Sequence, residues 1–108
     1  MDTLKQKFEN ELVSKMLTAK RECGYNPTRF NQEMARYGGV DTAKRLIAKA
    51  RHTGNISDGL STLYMCRRLD LSMEESVCKD EYAPLFTAEE IQYCKEILNS
   101  LGYDFSNI

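Results

Sequence analysis

The chain has 108 residues, 42% of them hydrophobic and 29% charged, with a formal net charge of −1. That describes one ordinary soluble globular domain, long enough for a single core, with no low-complexity tract or internal repeat. No run of about 18 apolar residues occurs, and the opening Met-Asp-Thr-Leu-Lys-Gln-Lys lacks an apolar signal core. The sequence therefore predicts no membrane span, no secretion and a cytoplasmic location.

In chain order, a first helix is predicted over about residues 3–22. Thr3 and Gln6 have capping-box spacing. Leu4, Phe8, Leu12, Val13, Met16, Leu17 and Ala19 form an apolar stripe, and Gly24 ends it. Asn26 is placed to cap a second helix, with Pro27 as its first residue, where a missing N–H costs nothing. That helix carries Phe30, Met34 and Tyr37 and stops at Gly38-Gly39. Asp41 is expected to cap a third helix with Ala43, Leu46, Ile47 and Ala50 facing inward. Arg51-His52-Thr53-Gly54-Asn55 reads as an exposed loop. Ser57 or Asp58 opens a fourth helix containing Leu60, Leu63, Tyr64 and Leu69. Ser72 and Glu75 make a capping box for a short fifth helix running to about Lys79. Asp80 to Pro84 is a connection, because proline cannot continue a helix through it.

The last helix, from Leu85 to Tyr103, is fully punctuated. Thr87 and Glu90 make a capping box, and Phe86 and Ile91 have the spacing of a hydrophobic staple. Ile91, Cys94, Ile97, Leu98 and Leu101 recur on one face, and Gly102 supplies a left-handed stop. The tail, Asp104 to Ile108, is expected to fray. No segment alternates apolar and polar residues in the manner of a strand. Six helices with short connections predict an all-α single domain. Helices of such unequal length pack as an irregular orthogonal bundle rather than a uniform four-helix bundle.

The cysteines are Cys23, Cys66, Cys78 and Cys94, with no C-x-x-C pair, and His52 is the only histidine. The spacing gives no zinc-ligand pattern, so no metal and no cofactor are expected. The cysteines read as small buried hydrophobes in a reducing compartment rather than as a disulfide framework. Charge is uneven: the first 54 residues carry 11 Lys/Arg against 6 Asp/Glu, and the last 54 carry 4 against 10. Either the halves attract each other within the fold, or one of them faces a partner.

Three blocks carry a resemblance. They are Gly24-Tyr25-Asn26-Pro27-Thr28-Arg29-Phe30 through Gly38-Gly39-Val40 and Ala43-Lys44-Arg45-Leu46-Ile47; Ser57-Asp58-Gly59-Leu60 through Leu63-Tyr64 and Arg68-Leu69-Asp70-Leu71-Ser72-Met73-Glu74; and Pro84-Leu85-Phe86-Thr87 through Gly102-Tyr103. In order and spacing they resemble a small all-helical domain of uncharacterised bacterial proteins. The match spans residues 24–103 and leaves the first helix, residues 1–23, outside. Tyr64 stands where that domain has Trp, and Asn31 where it has an apolar residue. The resemblance implies a helical fold and a loose association with defence and toxin loci. It implies no catalytic residues.

Candidate sites follow from charge. Arg67-Arg68-Leu69-Asp70 offers a binding or acid/base pair, or else a bridge locking a helix junction. Tyr25 and Tyr103, each beside a glycine, offer exposed aromatics or covers for the core edge. Lys44, Arg45, Lys49, Arg51 and His52 form a basic run on the third helix, and with the Gly38-Gly39 turn this invites a DNA-binding, helix-turn-helix reading. A sequence pI near 5.8 argues against it. No phosphate loop, metal cluster or patterned nucleophile is visible, so no enzymatic activity is expected. The leading expectation is a non-enzymatic protein-binding module, in sharper form an immunity or antitoxin-type inhibitor of a basic nuclease toxin. Its acidic face would be Asp70, Glu74, Glu75, Asp80, Glu81, Glu89 and Glu90, with Glu96 beside them. The alternative is a nucleic-acid-associated domain using Lys44, Arg45, Lys49 and Arg51.

Overall fold

Side-chain caps set most of the helix starts. Thr3 accepts from the N–H of Gln6, Ser57 from Leu60, Ser72 from Glu75 and Thr87 from Glu90. The computed structural model describes residues 3–103. Among them the regular elements are α1 (Leu4–Cys23), α2 (Thr28–Tyr37), α3 (Gly39–Thr53), α4 (Asp58–Met65), α5 (Met73–Val77) and α6 (Ala88–Ser100), with 3-10 turns at Leu69–Leu71 and Asp80–Leu85. The domain is an all-α bundle with no strand among the described residues. The tail expected to fray, Asp104 to Ile108, lies outside them.

The main core joins α1, α2, α3, α5, α6 and the second 3-10 turn. Phe8 and Leu12 of α1 are fully buried, so the helix outside the resemblance is part of the core. Phe8 packs edge-on against Tyr82 and Phe86, with ring centroids 5.1 and 5.2 Å away. Such pairs add about 0.5–1.5 kcal/mol each beyond the area they bury. Leu60, Leu69 and Leu98 form a satellite cluster at one end, and Ala19, Leu63 and Leu71 form another.

Several local expectations are corrected. The α1 stripe is narrower than read: Val13 and Leu17 are 43% and 63% exposed, because they lie opposite the Phe8–Leu12–Ala19 line. The capping boxes at Thr3 and Ser72 are one-sided. Gln6 bonds Asn10 and Glu75 bonds Lys15, so only Thr87–Glu90 closes reciprocally. Asn26 makes no side-chain cap for α2, and Pro27 flanks that helix rather than opening it. Leu69 has left α4 for a 3-10 turn, after Arg67 takes a left-handed φ of 62°. Pro84 sits inside a 3-10 turn, where the lost N–H is tolerated. Arg51 to Thr53 form the last turn of α3, which ends at left-handed Gly54.

The start of α3 shows why Asp41 is not its cap. Gly38, at φ 84°, turns the chain sharply out of α2, and the helix begins at once with Gly39. The Gly39 N–H is satisfied from outside, by Glu9 Oε1 of α1 at 2.8 Å. A Cβ at Gly39 would lie 3.0 Å from the Glu9 Cα, so the close approach of α1 to α3 requires glycine there. Gly39→Ala is expected to lose about 1–3 kcal/mol of stability in urea unfolding, since helix backbone cannot yield as a flexible side chain would.

Candidate functional site

Four carboxylates of the acidic half, Asp70, Glu75, Glu81 and Glu90, are paired with cations of the same fold. Glu75 is buried and takes the Lys15 ammonium, which also donates to the Ser72 carbonyl at 3.2 Å. Glu11 gathers Lys79 at 3.1 Å, the Tyr82 hydroxyl at 3.1 Å, the Ser76 hydroxyl, and Lys15 at 3.8 Å. Burial alone would push the Glu11 carboxyl up. The hydrogen bonds from Ser76 and Lys79 and the charge of Lys15 outweigh it and hold the group below the usual range. Glu81 pairs with Lys7, Glu90 with Lys44, and Asp70 with Arg68. Glu74 and Glu75 are therefore interior groups rather than members of an outer acidic face. Asp80 and Glu89 remain exposed.

Arg68 reaches both Asp70, at 3.1 and 3.2 Å, and Glu22 of α1. It bridges the end of α4 to the end of α1 from the surface, an arrangement contributing roughly 0–1 kcal/mol. Beside it lies a covalent link that corrects the reading of the cysteines: Cys23 and Cys66 form a disulfide, with Cα atoms 6.0 Å apart. Cys78 and Cys94 are free. Burial pushes the Cys78 thiol up to about 12 and the Cys94 thiol higher still, so neither is a thiolate at neutral pH. No group of three or more His, Cys, Asp and Glu among the described residues is arranged to hold a metal. His52 is exposed in the last turn of α3.

The basic run on α3 divides. Lys44 turns to Glu90, 2.7 Å away, and lies over the Phe86 ring. Arg45 and Lys49 instead line a cleft of about 570 Å³ between α2, α3 and α4. That size lies within the range of ligand pockets, about 300–1,000 Å³. The buried lining is Met16 of α1, Pro27 before α2, Leu60 and Leu63 of α4, and Met73 and Glu74 of α5. Tyr25, Phe30, Leu46 and Ile56 make half-buried walls, while Arg29, Arg45 and Lys49 are exposed. The Arg45 guanidinium lies over the Tyr37 ring, 3.8 Å from its centroid, a cation–π contact that favours this position. Arg51 is exposed in the last turn of α3 and is not in the lining. Tyr103 packs with the Leu60–Leu98 cluster and is not in the lining.

Tyr25 fixes one wall. Its hydroxyl approaches Gly59 so closely that a Cβ there would lie 2.4 Å from it. Burial, then the charges of Glu74 and Asp58, push its phenol above the usual value. Glu74 is 8% exposed and receives no ion pair; its hydrogen bond is from its own backbone N–H. Burial pushes its carboxyl up to about 7, against that N–H and the charge of Lys15. Because the folded value lies above the ordinary 4.5, the stabilising contribution is present at low pH and lost as pH rises through about 7. Glu74→Gln should gain on the parent chain by about 2–3 kcal/mol between pH 5 and pH 8, as read by denaturant unfolding at each pH. An unchanged difference would mean that Glu74 titrates normally.

Sequence reasoning placed Arg45 and Lys49 among its candidates but not Arg29, Tyr25 or Glu74 as their neighbours. Glycine 59, two residues after a capping serine, was the available signal that something approaches the start of α4. Nothing local distinguishes Glu74 from a solvated carboxylate. The comparisons add no name to this geometry: no family model, no curated protein and no solved structure matches the chain.

Proposed function

We propose that the chain is a non-enzymatic protein-binding module, and that its recognition element is the α2–α3–α4 cleft, which takes an acidic segment of the partner with apolar anchors. The observation that carries this reading is the apolar lining with exposed cations around it. Arg45 and Lys49 stand exposed with no ion pair among the described residues, beside Arg29, which lies 4.0 Å from Glu33 of the same cleft. On the acidic half, Asp70, Glu75, Glu81 and Glu90 are tied to cations of the same fold. Apolar clefts with a few placed polar groups are the usual form of a binding site, and Met16 and Met73 give the lining adaptable side chains.

A second reading has one observation in its favour. Asp80, Glu89 and Glu96 are exposed with no ion pair among the described residues, and the pairs of Glu81 and Asp70 are at the surface. These five are the carboxylates that could serve a face for a basic nuclease in an immunity or antitoxin-type role. Tagged protein should capture a stoichiometric protein partner that survives nuclease treatment, and Arg45→Glu/Lys49→Glu should lose it. Asp80→Asn/Glu81→Gln/Glu89→Gln should keep it. The reverse pattern would establish the acidic face. Co-purified nucleic acid, with loss of the complex on nuclease treatment, would move Arg45 and Lys49 to phosphate contacts.

A further inference from the structure

We propose that the floor of the cleft is a lysine-binding subsite: the Glu74 carboxylate receives the side-chain ammonium of a lysine in the partner segment, while acidic residues flanking that lysine meet Arg29, Arg45 and Lys49. The inference rests on the reading of the cleft as the recognition element and names what enters it.

Glu74 is a buried acid with no cation paired to it among the described residues. The other buried carboxylate, Glu75, has Lys15, and the half-buried Glu11 and Glu90 have Lys15 and Lys79, and Lys44. The groups facing Glu74 do not fill the place. Lys15 of α1 is near enough to act on it by charge, but its ammonium is committed to Glu75 and the Ser72 carbonyl. Tyr25 from the loop before α2, and Tyr93 and Cys94 of α6, feel the Glu74 charge and are all held neutral, mainly by burial. Cys78, on the turn after α5, is likewise a neutral thiol. Unlike the polar cluster on α1, Glu74 also lines an open cavity.

The cavity has the form such a ligand needs. A lysine stem is apolar and its tip is a compact cation. Met16, Leu63 and Met73 offer the stem an apolar wall, and Tyr25 and Phe30 offer aromatic surface near the charge. The lining also holds Asp58 and Glu33, the latter 4.0 Å from Arg29, so the cations without an ion pair among the described residues are Arg45 and Lys49, and these repel a bare amine. They accept one that carries negative charge on both sides of it, which is why the ligand is a lysine between acidic residues rather than a free alkylamine. Insertion would leave Glu74 charged and paired, so binding releases a proton below about pH 7 and is tighter above it.

The test uses the intact chain with capped tripeptides, acetyl-Asp-Lys-Asp-amide and its norleucine counterpart, which keeps the stem without the ammonium. Carbon-detected NMR of the Glu74 carboxyl, with amide shifts mapping the cleft, reads both binding and titration. The lysine peptide should bind at least about tenfold more tightly than the norleucine peptide at pH 8, and the Glu74 titration should move to lower pH in its presence. Glu74→Gln should abolish the preference while leaving the amide map of the fold intact. Equal binding of the two peptides, or a preference that survives Glu74→Gln, would overturn the subsite. If the lysine preference fails while Arg45→Glu/Lys49→Glu still abolishes partner capture, the subsite falls and the cleft reading stands. If neither peptide nor partner depends on the cleft, both fall.

Discussion

Replacing Lys15 with methionine is expected to cost the fold about 3–5 kcal/mol, because it breaks a buried ion pair. The Lys15 and Glu75 side chains are 11% and 6% exposed, so the pair is withdrawn from water. Burial depresses the Lys15 ammonium below its usual value, and Glu75 only partly restores it. The pair is therefore a weak net stabiliser, and its halves are costly to separate: without Lys15, Glu75 is left buried with no cation. The double change Lys15→Met/Glu75→Leu should return most of the loss, because an apolar pair of similar volume carries no desolvation cost. Urea unfolding of the parent, both single variants and the double variant gives the coupling directly. Single losses under about 1 kcal/mol would mean that water reaches the pair.

Opening the Cys23–Cys66 bond should have an effect of comparable size. The bond spans 43 residues, and the chain-entropy account assigns a loop of that length about 4 kcal/mol. The melting temperature should fall by about 15 °C or more on reduction, and equally in Cys23→Ala/Cys66→Ala. The consequence reaches the cleft, since its lining from Tyr25 to Leu63 lies between the two cysteines. Once the bond is open, α4 is held by Leu60 and Leu63 in two small clusters and by Arg68 on Glu22. Hydrogen exchange should then accelerate first in α4. A reduced protein with unchanged melting and unchanged exchange in α4 would show that the bond is incidental to stability.

The contrast between what was legible in the sequence and what was not follows the range of the interactions. Thr3, Ser57, Ser72 and Thr87 were readable as caps because the acceptor and the donor are three residues apart. The end of α1 at Gly24 and the close at Gly102 were readable for the same reason, both being left-handed glycines. The start of α3 was not, because its cap is Glu9, 30 residues earlier. Leu17 and Val13 were placed in the stripe by their apolar character alone, although the helical period puts them opposite the Phe8–Leu12–Ala19 line. The division of the basic helix, with Lys44 facing Glu90 and Arg45 and Lys49 facing the cleft, is set by the angle between α3 and α6. Spacing alone does not contain that angle. Lys15–Glu75, 60 residues apart, and Cys23–Cys66 are equally tertiary. So is the isolation of Glu74, which depends on what fails to reach it.

The central claim is that recognition occurs at the cleft. Photo-crosslinking from single sites tests it most directly, with benzoylphenylalanine placed at Asn55 on the cleft or at Glu89 on α6, outside the lining, both exposed. Irradiation in native lysate, followed by mass spectrometry, should give one protein adduct from Asn55, which lines the cleft. The crosslinked peptide should contain a lysine among acidic residues, and Glu89 should give none. A specific adduct from Glu89 with Asn55 silent would place the working surface on the acidic side and contradict the account.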